Sequence, residues 1–328
     1  MKQNISERIE ELYLSLEPGM KEEIKKAGEI IRSGGLVAFP TETVYGLGAN
    51  ALDADAVKKI YEAKGRPSDN PIILHVCDIK MAETLVEFNW RARYLMEKFW
   101  PGPLSLVLNA KPAVPERTRG GLSTAAIRMP DNAIALELIR VSGVPIAAPS
   151  ANKSGRPSPT DAKTVKEDIG EAVAMVIDGG ATRVGLESTV LDVTGDAPVL
   201  LRPGGISKEE IEKVLLMPVL LPEDKNMLKR SPGTRYRHYA PKIPLVLADD
   251  KAEEAVKGKK WAWLGVSEPK CAPYTKIIFT DVREYAKELF RAFRTIENSG
   301  ADIILAEIPD EAGIGLALKD RLTRAAGI

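Results

Sequence analysis

The sequence predicts an α/β protein in which a large N-terminal domain, built on a twisted open sheet, precedes a smaller three-layer α/β/α domain. As far as residue 216, short apolar runs alternate with segments of helical periodicity, which is the pattern of helices packed on one sheet. Residues 217–244 then hold five prolines and little periodicity, and the alternation resumes after them. The predicted organisation is therefore a domain at residues 1–216, a linker at 217–244 and a domain at 245–328.

The predicted strands are short apolar runs that are typical of buried strands. In the first domain they are Leu36–Phe39, Ile72–Val76, Leu104–Leu108, Ile146–Ala148, Met175–Ile177, Thr189–Val193 and Val199–Leu201. In the second domain they are Leu245–Leu247, Trp261–Leu264, Ile277–Phe279 and Ile303–Leu305, with long helices at Asp281–Asn298 and Gly315–Ala326. This second alternation favours a Rossmann-like unit.

Two helices of the first domain have clear end signals. Asp53 is a good N-cap residue, and Gly65 ends that helix just after Lys64. The segment Ser207–Glu210 is a capping box that introduces a short helix through Leu215.

Composition narrows the class of protein. The chain has 328 residues, 44% of them hydrophobic and 28% charged, and a formal net charge of zero, so no global field attracts nucleic acid. The start of the chain lacks the apolar core of a signal peptide, and no stretch approaches the roughly eighteen apolar residues of a membrane span, so we expect a cytoplasmic protein without membrane contact. Cys77 and Cys271 lie far apart, and the only histidines are His75 and His238, so we expect no metal cage made by the protein.

Four cations stand beside apolar segments. Lys64 and Arg66 lie in KGRPSDNP, just before the run that begins at Ile72, and Arg128 and Arg202 each follow an apolar run directly. Ligands of α/β sheets bind beyond the carboxyl ends of strands, so these positions indicate one crevice lined with cations for an anion. Because exposed loop cations contribute little to stability, replacing Lys64 or Arg66 is expected to abolish turnover and to leave the fold intact.

The segment APSANKSGRPSPT, residues 148–160, is rich in small and hydroxyl side chains. They would let backbone amides, together with Ser150, Asn152 and Ser158, approach phosphate oxygens closely. A plain loop that caps the next helix explains the same composition. The sequence has no G-x-x-x-x-G-K-[ST] motif, so any nucleotide is held by another design.

The segment PTETVYGLGANA, residues 40–51, contains a formal G-x-G-x-x-A pattern. A dinucleotide-binding fingerprint needs a strand, a tight turn and a helix in immediate succession, and here a polar segment precedes the first glycine. The glycines are better explained by close backbone approach, with Thr41, Thr43 and Tyr45 offering hydroxyls to a polar ligand. A further polar cluster, Glu187-Ser188-Thr189, stands at a strand edge, where it could equally be a simple strand cap.

Six motifs together resemble one known family. They are PTETVYGLG, KGRPSDNP, IRMP, APSAN with the following SG and PSPT, GLESTV, and LLRPGG, and in this order they are similar to the Sua5/YrdC/YwlC family. The resemblance covers residues 21–216, and the linker and C-terminal domain look like the longer Sua5 type. It implies a YrdC-like fold and synthesis of threonylcarbamoyl-AMP and pyrophosphate from L-threonine, bicarbonate or CO2, and ATP with magnesium. The product would pass to a threonylcarbamoyl transferase acting on adenosine in tRNA.

The resemblance also implies roles for individual residues. Lys64 and Arg66 would be catalytic, and Arg128 would clamp the threonine carboxylate. The tyrosines of the linker, Tyr236 and Tyr239, would belong to a loop that covers the site. The residues expected around threonine are Thr41, His75, Arg128 and Ser188, and those expected around the nucleotide are Lys64, Ser68, Thr124, Ser150, Asn152, Ser158, Arg202 and Tyr236.

Three other functions are compatible with parts of the pattern. A cationic concave face could bind double-stranded RNA or tRNA without catalysis, although only 5% of the residues are aromatic and there is no strong basic run. A dehydrogenase built on Gly46 and Gly48 would bind a nicotinamide cofactor. A carbamoyl transferase similar to hydrogenase-maturation proteins would need acylphosphatase and zinc-finger regions, which the sequence does not show.

Overall fold

A computed structural model of the chain describes residues 5–222, 225–228, 238–249 and 252–328. Within these ranges the chain forms two sheets, one of nine strands and one of four. The α/β class and the smaller parallel C-terminal unit predicted from the sequence are confirmed. Residues 229–237 of the linker, which include Tyr236, lie outside the described ranges.

The larger sheet carries the residues of the first domain. Its strands are β1 (Val37–Phe39), β2 (Gly46–Asn50), β3 (Leu74–His75), β4 (Leu104–Asn109), β5 (Thr124–Arg128), β6 (Ile146–Ala147), β7 (Met175–Val176), β8 (Thr189–Asp192) and β9 (Val199–Arg202). Their order is β7-β1-β2-β6-β3-β5-β4-β8-β9, with mixed parallel and antiparallel pairing.

Helices cover this sheet and bury its main core. They are α1 (Ile5–Leu14), α2 (Pro18–Arg32), α3 (Ala54–Lys64), α4 (Ile79–Leu85), α5 (Trp90–Phe99), α6 (Ala133–Ser142), α7 (Ala162–Ile169), α8 (Lys208–Leu215) and α9 (Lys225–Leu228), with a 3-10 turn at Gly170–Ala172. The predicted ends of α3 are observed: the Asp53 carboxylate accepts from two backbone amides, and Gly65 adopts a left-handed conformation with φ of 59°. The capping box at Ser207 is also present.

The second sheet is entirely parallel. Its strands are β10 (Leu245–Leu247), β11 (Trp261–Gly265), β12 (Thr275–Ile278) and β13 (Ile303–Ala306), in the order β10-β13-β11-β12. Its helices are α10 (Ala252–Val256), α11 (Val282–Glu297) and α12 (Gly315–Ala326). Ala262 and Leu264 pack with α11 and α12 on one face, whereas Trp263 packs with Ala252 on the other. Apolar packing on both faces gives the three-layer arrangement.

Two strands of the larger sheet, β2 and β5, were not among the predicted ones. Strand β2 contains the glycines of the G-x-G-x-x-A pattern and pairs antiparallel with β1. A Cβ atom at Gly48 would lie 2.8 Å from the ring of Phe39 and 2.9 Å from Ile146. The glycines therefore let neighbouring side chains cross the strand, and the strand–turn–helix geometry of a dinucleotide fingerprint is not present there.

The longest helix in the described part, α11, is amphipathic. No helix in that part of the chain has the length and apolar content of a bilayer-crossing segment.

Candidate active site

One cavity gathers most of the residues predicted to bind ligands. His75, Arg128 and Arg202 are the last residues of β3, β5 and β9, which run in the same direction through the sheet. Three loops close the cavity: the loop after β1, the loop after β6 and the loop before β8. Its lining includes Thr41, Thr43, Val44, Tyr45, Gly46, Arg66, Ile73, His75, Arg128, Ala148, Pro149, Ser150, Asn152, Arg156, Ser158, Glu187, Ser188, Arg202, His238 and Tyr239.

Lys64 does not line this cavity but supports one of its walls. It is the last residue of α3 and only 4% exposed, not a solvated loop cation as the sequence suggested. Its Nζ donates to the carbonyl oxygens of Ser150 and Asn152, at 2.5 Å each. Burial, and then the nearby Arg66, lowers the pKa of Lys64 well below its ordinary value. The expectation that its loss leaves the fold intact stays a prediction, but its premise of an exposed loop cation is wrong, because Lys64 is the donor for one partly buried and one buried carbonyl.

Arg66 offers the cavity a cation. Its Nη2 donates to Pro71 O at 3.1 Å, whereas its buried Nε has no hydrogen-bond partner among the described residues. Burial lowers the pKa of Arg66 to about 10, so it stays charged at neutral pH. A buried, incompletely paired guanidinium is suited to binding an anionic ligand.

Arg128 is held by the protein on several sides. Its Nη1 donates to Thr43 Oγ1 at 3.0 Å and its Nε donates to Gly102 O at 3.2 Å. Its Nη2 lies 2.5 Å from Glu42 Oε2. The guanidinium that was expected to clamp a substrate carboxylate therefore already faces a carboxylate of the protein.

The loop after β6 presents its polar groups in an ordered way. Ser150 Oγ donates to Asn152 Oδ1 at 2.6 Å, and Asn152 Nδ2 donates to the carbonyls of Lys153 and Arg156. Ser158 Oγ, farther along the loop, donates to Glu187 Oε1 at 2.5 Å. These bonds fix the small polar side chains in a compact wall of the cavity.

The remaining hydroxyl residues of the cavity are likewise held in place. Thr41 Oγ1 donates to Val44 O at 2.7 Å and lies 2.8 Å from Thr43 Oγ1. Ser188 Oγ lies 2.8 Å from Ser105 Oγ, and Arg202 Nη2 donates to Ser188 O at 2.8 Å. Arg202 thus connects the end of β9 to the segment before β8.

His75 is neutral in the fold. Burial lowers its pKa to about 3, and the adjacent Arg128 adds to the effect. Its Nδ1 is buried and has no hydrogen-bond partner within the described ranges. A neutral ring with an unused nitrogen can orient a ligand, and no carboxylate partner is seen there that would make it a base.

Besides Lys64, two predicted residues, Ser68 and Thr124, are not brought into this lining. Ser68 is exposed in the loop after α3. Thr124 is 6% exposed and lies at the start of β5, opposite Asn109, whereas Arg128 lies at the other end of that strand. Tyr236 lies outside the described residues.

Three residues that belong to the site or support it, Glu187, His238 and Arg321, have no role assigned from the sequence. Glu187 lines the cavity, whereas in the sequence its polar cluster is equally typical of a simple strand cap. His238 and Tyr239 bring the end of the linker to the cavity, and Arg321 of α12 bonds to Glu187 Oε2 at 2.7 Å. A contact between residues 134 positions apart leaves no local signal in the sequence.

In the described ranges, no group of three or more His, Cys, Asp or Glu side chains is arranged to hold a metal ion. Glu187 is the one acidic side chain in the lining given above, and Ser158 and Arg321 already engage its two oxygens. The polar lining is otherwise made of hydroxyls, amides, cations and the rings of His75 and His238. This composition suits an anionic ligand better than a bare cation.

A cationic cavity on a mixed sheet, closed by hydroxyl-rich loops, defines a site for a polar, anionic small molecule. The family model Sua5_yciO_yrdC, described as telomere recombination, matches residues 29–204, and a second model, described as threonylcarbamoyl-AMP synthase, C-terminal domain, matches residues 206–327. The chain belongs to the Sua5 family.

The relatives are similar over nearly the whole chain. Threonylcarbamoyl-AMP synthase of Pyrococcus abyssi is 47% identical over 341 residues, covering 99% of this chain and 97% of the relative. The enzyme of the same name from Bacillus subtilis is 46% identical over 323 residues, 93% of each chain. The crystal structure of P. abyssi Sua5 complexed with L-threonine matches with a TM-score of 0.87 and 46% identity, covering 94% of this chain and 95% of that chain.

A shorter structural relative matches only part of the chain. The crystal structure of E. coli YciO has a TM-score of 0.51 and 28% identity, and covers 56% of this chain and 90% of that chain. These comparisons confirm the family predicted from the motifs and do not favour the alternative of an RNA-binding module without catalysis.

Proposed function

We propose that this protein is an L-threonylcarbamoyl-AMP synthase that condenses L-threonine, bicarbonate or CO2, and ATP, and releases pyrophosphate. The observation that supports this most strongly is the match, over nearly the full length, to synthases that are 46–47% identical. The cavity adds a chemical argument, since buried cations and hydroxyls meet in one place, as an anionic intermediate requires.

The proposed reaction has two steps. The neutral amine of threonine attacks CO2, loses a proton and becomes a carbamate. A carbamate oxygen then attacks the α-phosphorus of ATP, a new P–O bond forms, and the bond to the leaving pyrophosphate breaks. Each species after the first is strongly anionic, so positioning and charge stabilisation would supply most of the acceleration.

Threonine is proposed to bind near His75, Thr41, Ser188 and Arg128. The neutral His75 ring can orient the amino acid without adding charge. Glu42 and Thr43 already contact two nitrogens of the Arg128 guanidinium. Arg128 can therefore donate to the threonine carboxylate only from N–H groups that these contacts do not use, or after its contact with Glu42 shifts. We therefore assign Arg128 to the threonine end of the cavity and regard Glu42 as part of that end.

The nucleotide is proposed to occupy the side formed by Arg66, Arg202 and the loop with Ser150, Asn152 and Ser158. Lys64 would act there chiefly by fixing that loop through two backbone carbonyls. Ser68, Thr124 and Tyr236 remain proposed nucleotide contacts from the family resemblance alone. Magnesium would enter with ATP as part of the substrate and be held mainly by phosphate oxygens and water.

The product is a labile mixed anhydride, so water must be kept away from it. We propose that the linker, residues 217–244, acts as the lid, with Tyr239 already buried against the cavity. The domains on either side would be residues 1–216 and 245–328. The product would be passed, in the cytoplasm, to a transferase that modifies tRNA. Direct binding of RNA by this chain is a separate proposal.

The first test is release of pyrophosphate from MgATP in the presence of bicarbonate. We expect release with L-threonine, much less with L-serine, and none without an amino acid, and mass spectrometry should detect threonylcarbamoyl-AMP. Pyrophosphate release that does not depend on an amino acid would contradict the proposal. RNA binding without any nucleotide turnover would support the alternative instead.

A further inference from the structure

Helix α12 of the C-terminal domain places one arginine against the wall of the cavity. Arg321 is fully buried, and its Nε donates to Glu187 Oε2 at 2.7 Å. Its Nη2 donates to Pro203 O at 3.1 Å, just beyond Arg202, and its guanidinium lies 5.1 Å from the ring centroid of Tyr239. One side chain from the second domain thus contacts three separate segments that surround the cavity.

The other oxygen of Glu187 is engaged as well. Ser158 Oγ donates to Glu187 Oε1 at 2.5 Å, and both residues line the cavity. The chain of contacts is therefore Arg321 to Glu187 to Ser158, and it ends at a hydroxyl that we assign to the nucleotide. Because both carboxylate oxygens are fixed and the only hydroxyl proton of Ser158 is donated to Glu187, Ser158 Oγ has one defined orientation and faces the nucleotide as an acceptor.

The buried carboxylate of Glu187 needs a cation beside it to neutralise its charge. Burial alone would raise the pKa of Glu187, but Arg321, and then Arg202, outweigh it, so the carboxylate is ionised. An ionised carboxylate in a cavity for polyphosphate repels the ligand unless a cation neutralises it. If Arg321 were lost, Glu187 could only pair with Arg202, which the nucleotide needs, or take up a proton.

We propose that Arg321 is a positioning residue of the active site, which neutralises Glu187 and through it orients Ser158 toward the nucleotide. The C-terminal domain then completes the nucleotide site itself, in addition to supporting the linker. This inference rests on the proposed function only in assigning the anionic ligand as ATP.

A second contact between the domains provides the comparison. Arg294 of α11 forms a two-point pair with Asp168 of α7, at 2.7 and 3.1 Å, and also donates to Pro157 O. Arg294 and Asp168 are not in the lining of the cavity. If the domains only need to be docked, losing Arg294 should matter as much as losing Arg321.

The test compares R321M, R321K, R294M, E187Q and the double variant E187Q/R321M. For each we would measure the dissociation constant of MgATP by calorimetry, the KM values of MgATP and threonine, kcat, and the melting temperature. Losing a charge-assisted bond and leaving a buried anion should weaken MgATP binding about tenfold or more in R321M, with a much smaller change in the KM of threonine. R321K should lie between R321M and the parent.

The double variant distinguishes a role of Arg321 in positioning Glu187 and Ser158 from a role in docking the two domains. With Gln at position 187 no buried anion remains and an acceptor for Ser158 is kept, so E187Q/R321M should bind MgATP within about threefold of E187Q alone. R294M should lower the melting temperature, with only a small change in the affinity for MgATP. If R321M does not fold, R321K and the double variant make the same comparison.

Two results would overturn the inference. One is an unchanged MgATP affinity in R321M. The other is an equal loss of MgATP affinity in R321M and R294M, with no recovery when E187Q is combined with R321M. Binding is measured without turnover, so the outcome does not depend on the proposed function. If the parent binds MgATP but shows no threonine-dependent release of pyrophosphate, the proposed function fails while the role of Arg321 is still decided.

Discussion

Arg128 Nη2 lies 2.5 Å from Glu42 Oε2, and the two side chains are only 4% and 2% exposed. This pair joins the end of β5 to the loop after β1, the two segments that we assign to threonine. A buried pair of opposite charges is stable because each charge neutralises the other, whereas burying one of them without its partner costs on the order of several kcal/mol. The position of Arg128 therefore depends on Glu42 before any ligand binds.

Replacing Glu42 with Ala should destabilise the protein strongly, because it leaves the Arg128 guanidinium buried without its counter-charge. We expect the free energy of unfolding to fall by about 3–5 kcal/mol, measured by urea unfolding. The matched control is Glu83→Ala, which breaks the exposed pair of Glu83 with Arg93, at 3.2 Å, and should cost no more than about 1 kcal/mol. Similar small losses in both variants would contradict the prediction.

Lys64 and Arg66, two residues apart, should differ in what their loss does. Lys64→Ala removes the donor of the partly buried Ser150 carbonyl and of the buried Asn152 carbonyl, and should lower the free energy of unfolding by about 1–3 kcal/mol for each carbonyl left unpaired. Arg66→Ala removes one bond of 3.1 Å and should leave stability nearly unchanged while MgATP binding is lost. Unfolding curves and calorimetric titration on both variants test this, and the reverse order of stabilities would refute it.

The sequence predicted the architecture well because the architecture depends on local patterns. Apolar runs located the strands of the second domain, and helix α12 runs over the predicted residues Gly315–Ala326. Strand β2 was missed because its glycines are needed for contact with Phe39 on the neighbouring strand. That requirement is tertiary, and a glycine-rich segment alone is more typical of a loop.

The site was predicted in part for the same reason. Arg202 was identifiable because it directly follows a predicted strand, and Arg128 because it directly follows an apolar run, although that run was not itself predicted to be a strand. Arg321 was not identifiable, since in sequence it is one basic residue on an amphipathic helix, and such residues are usually solvated. The end of α3 at Lys64 was predicted, but the burial of Lys64 under the loop of Ser150 depends on how α3 packs.

His75 should make the protein less stable as the pH falls through the ordinary range of histidine. Burial holds its folded pKa at about 3, below the unfolded value, so the unfolded state binds more protons once the pH drops below about 6.5. The stability that neutral His75 contributes is present above that pH and is lost toward pH 3. Between pH 7 and 5 the loss is about 2 kcal/mol for this group.

The measurement is urea unfolding of the parent and of His75→Asn at pH 7 and pH 5. His238 also has a folded pKa of about 3, lowered by burial and by Arg66, so the parent should show the contribution of both histidines. His75→Asn should retain about half of the parent's pH dependence between these two values. An unchanged pH dependence in the variant would show that His75 is already able to take up a proton in the folded protein.

Gly204 should tolerate no side chain, because the segment that carries Glu187 and Ser188 passes directly over it. A Cβ atom there would lie 2.3 Å from Thr189 N and 2.4 Å from Glu187 O, and backbone atoms cannot move aside as a flexible side chain can. Gly204→Ala should cost about 1–3 kcal/mol of unfolding free energy and weaken MgATP binding by displacing Glu187. Gly19→Ala is the control, since Gly19 lies in helix α2 with nothing within 4 Å of the added atom, and it should be neutral or stabilising by up to about 1 kcal/mol. If Gly204→Ala matched this control in both stability and affinity, the close approach of the two segments would not be needed to form the site.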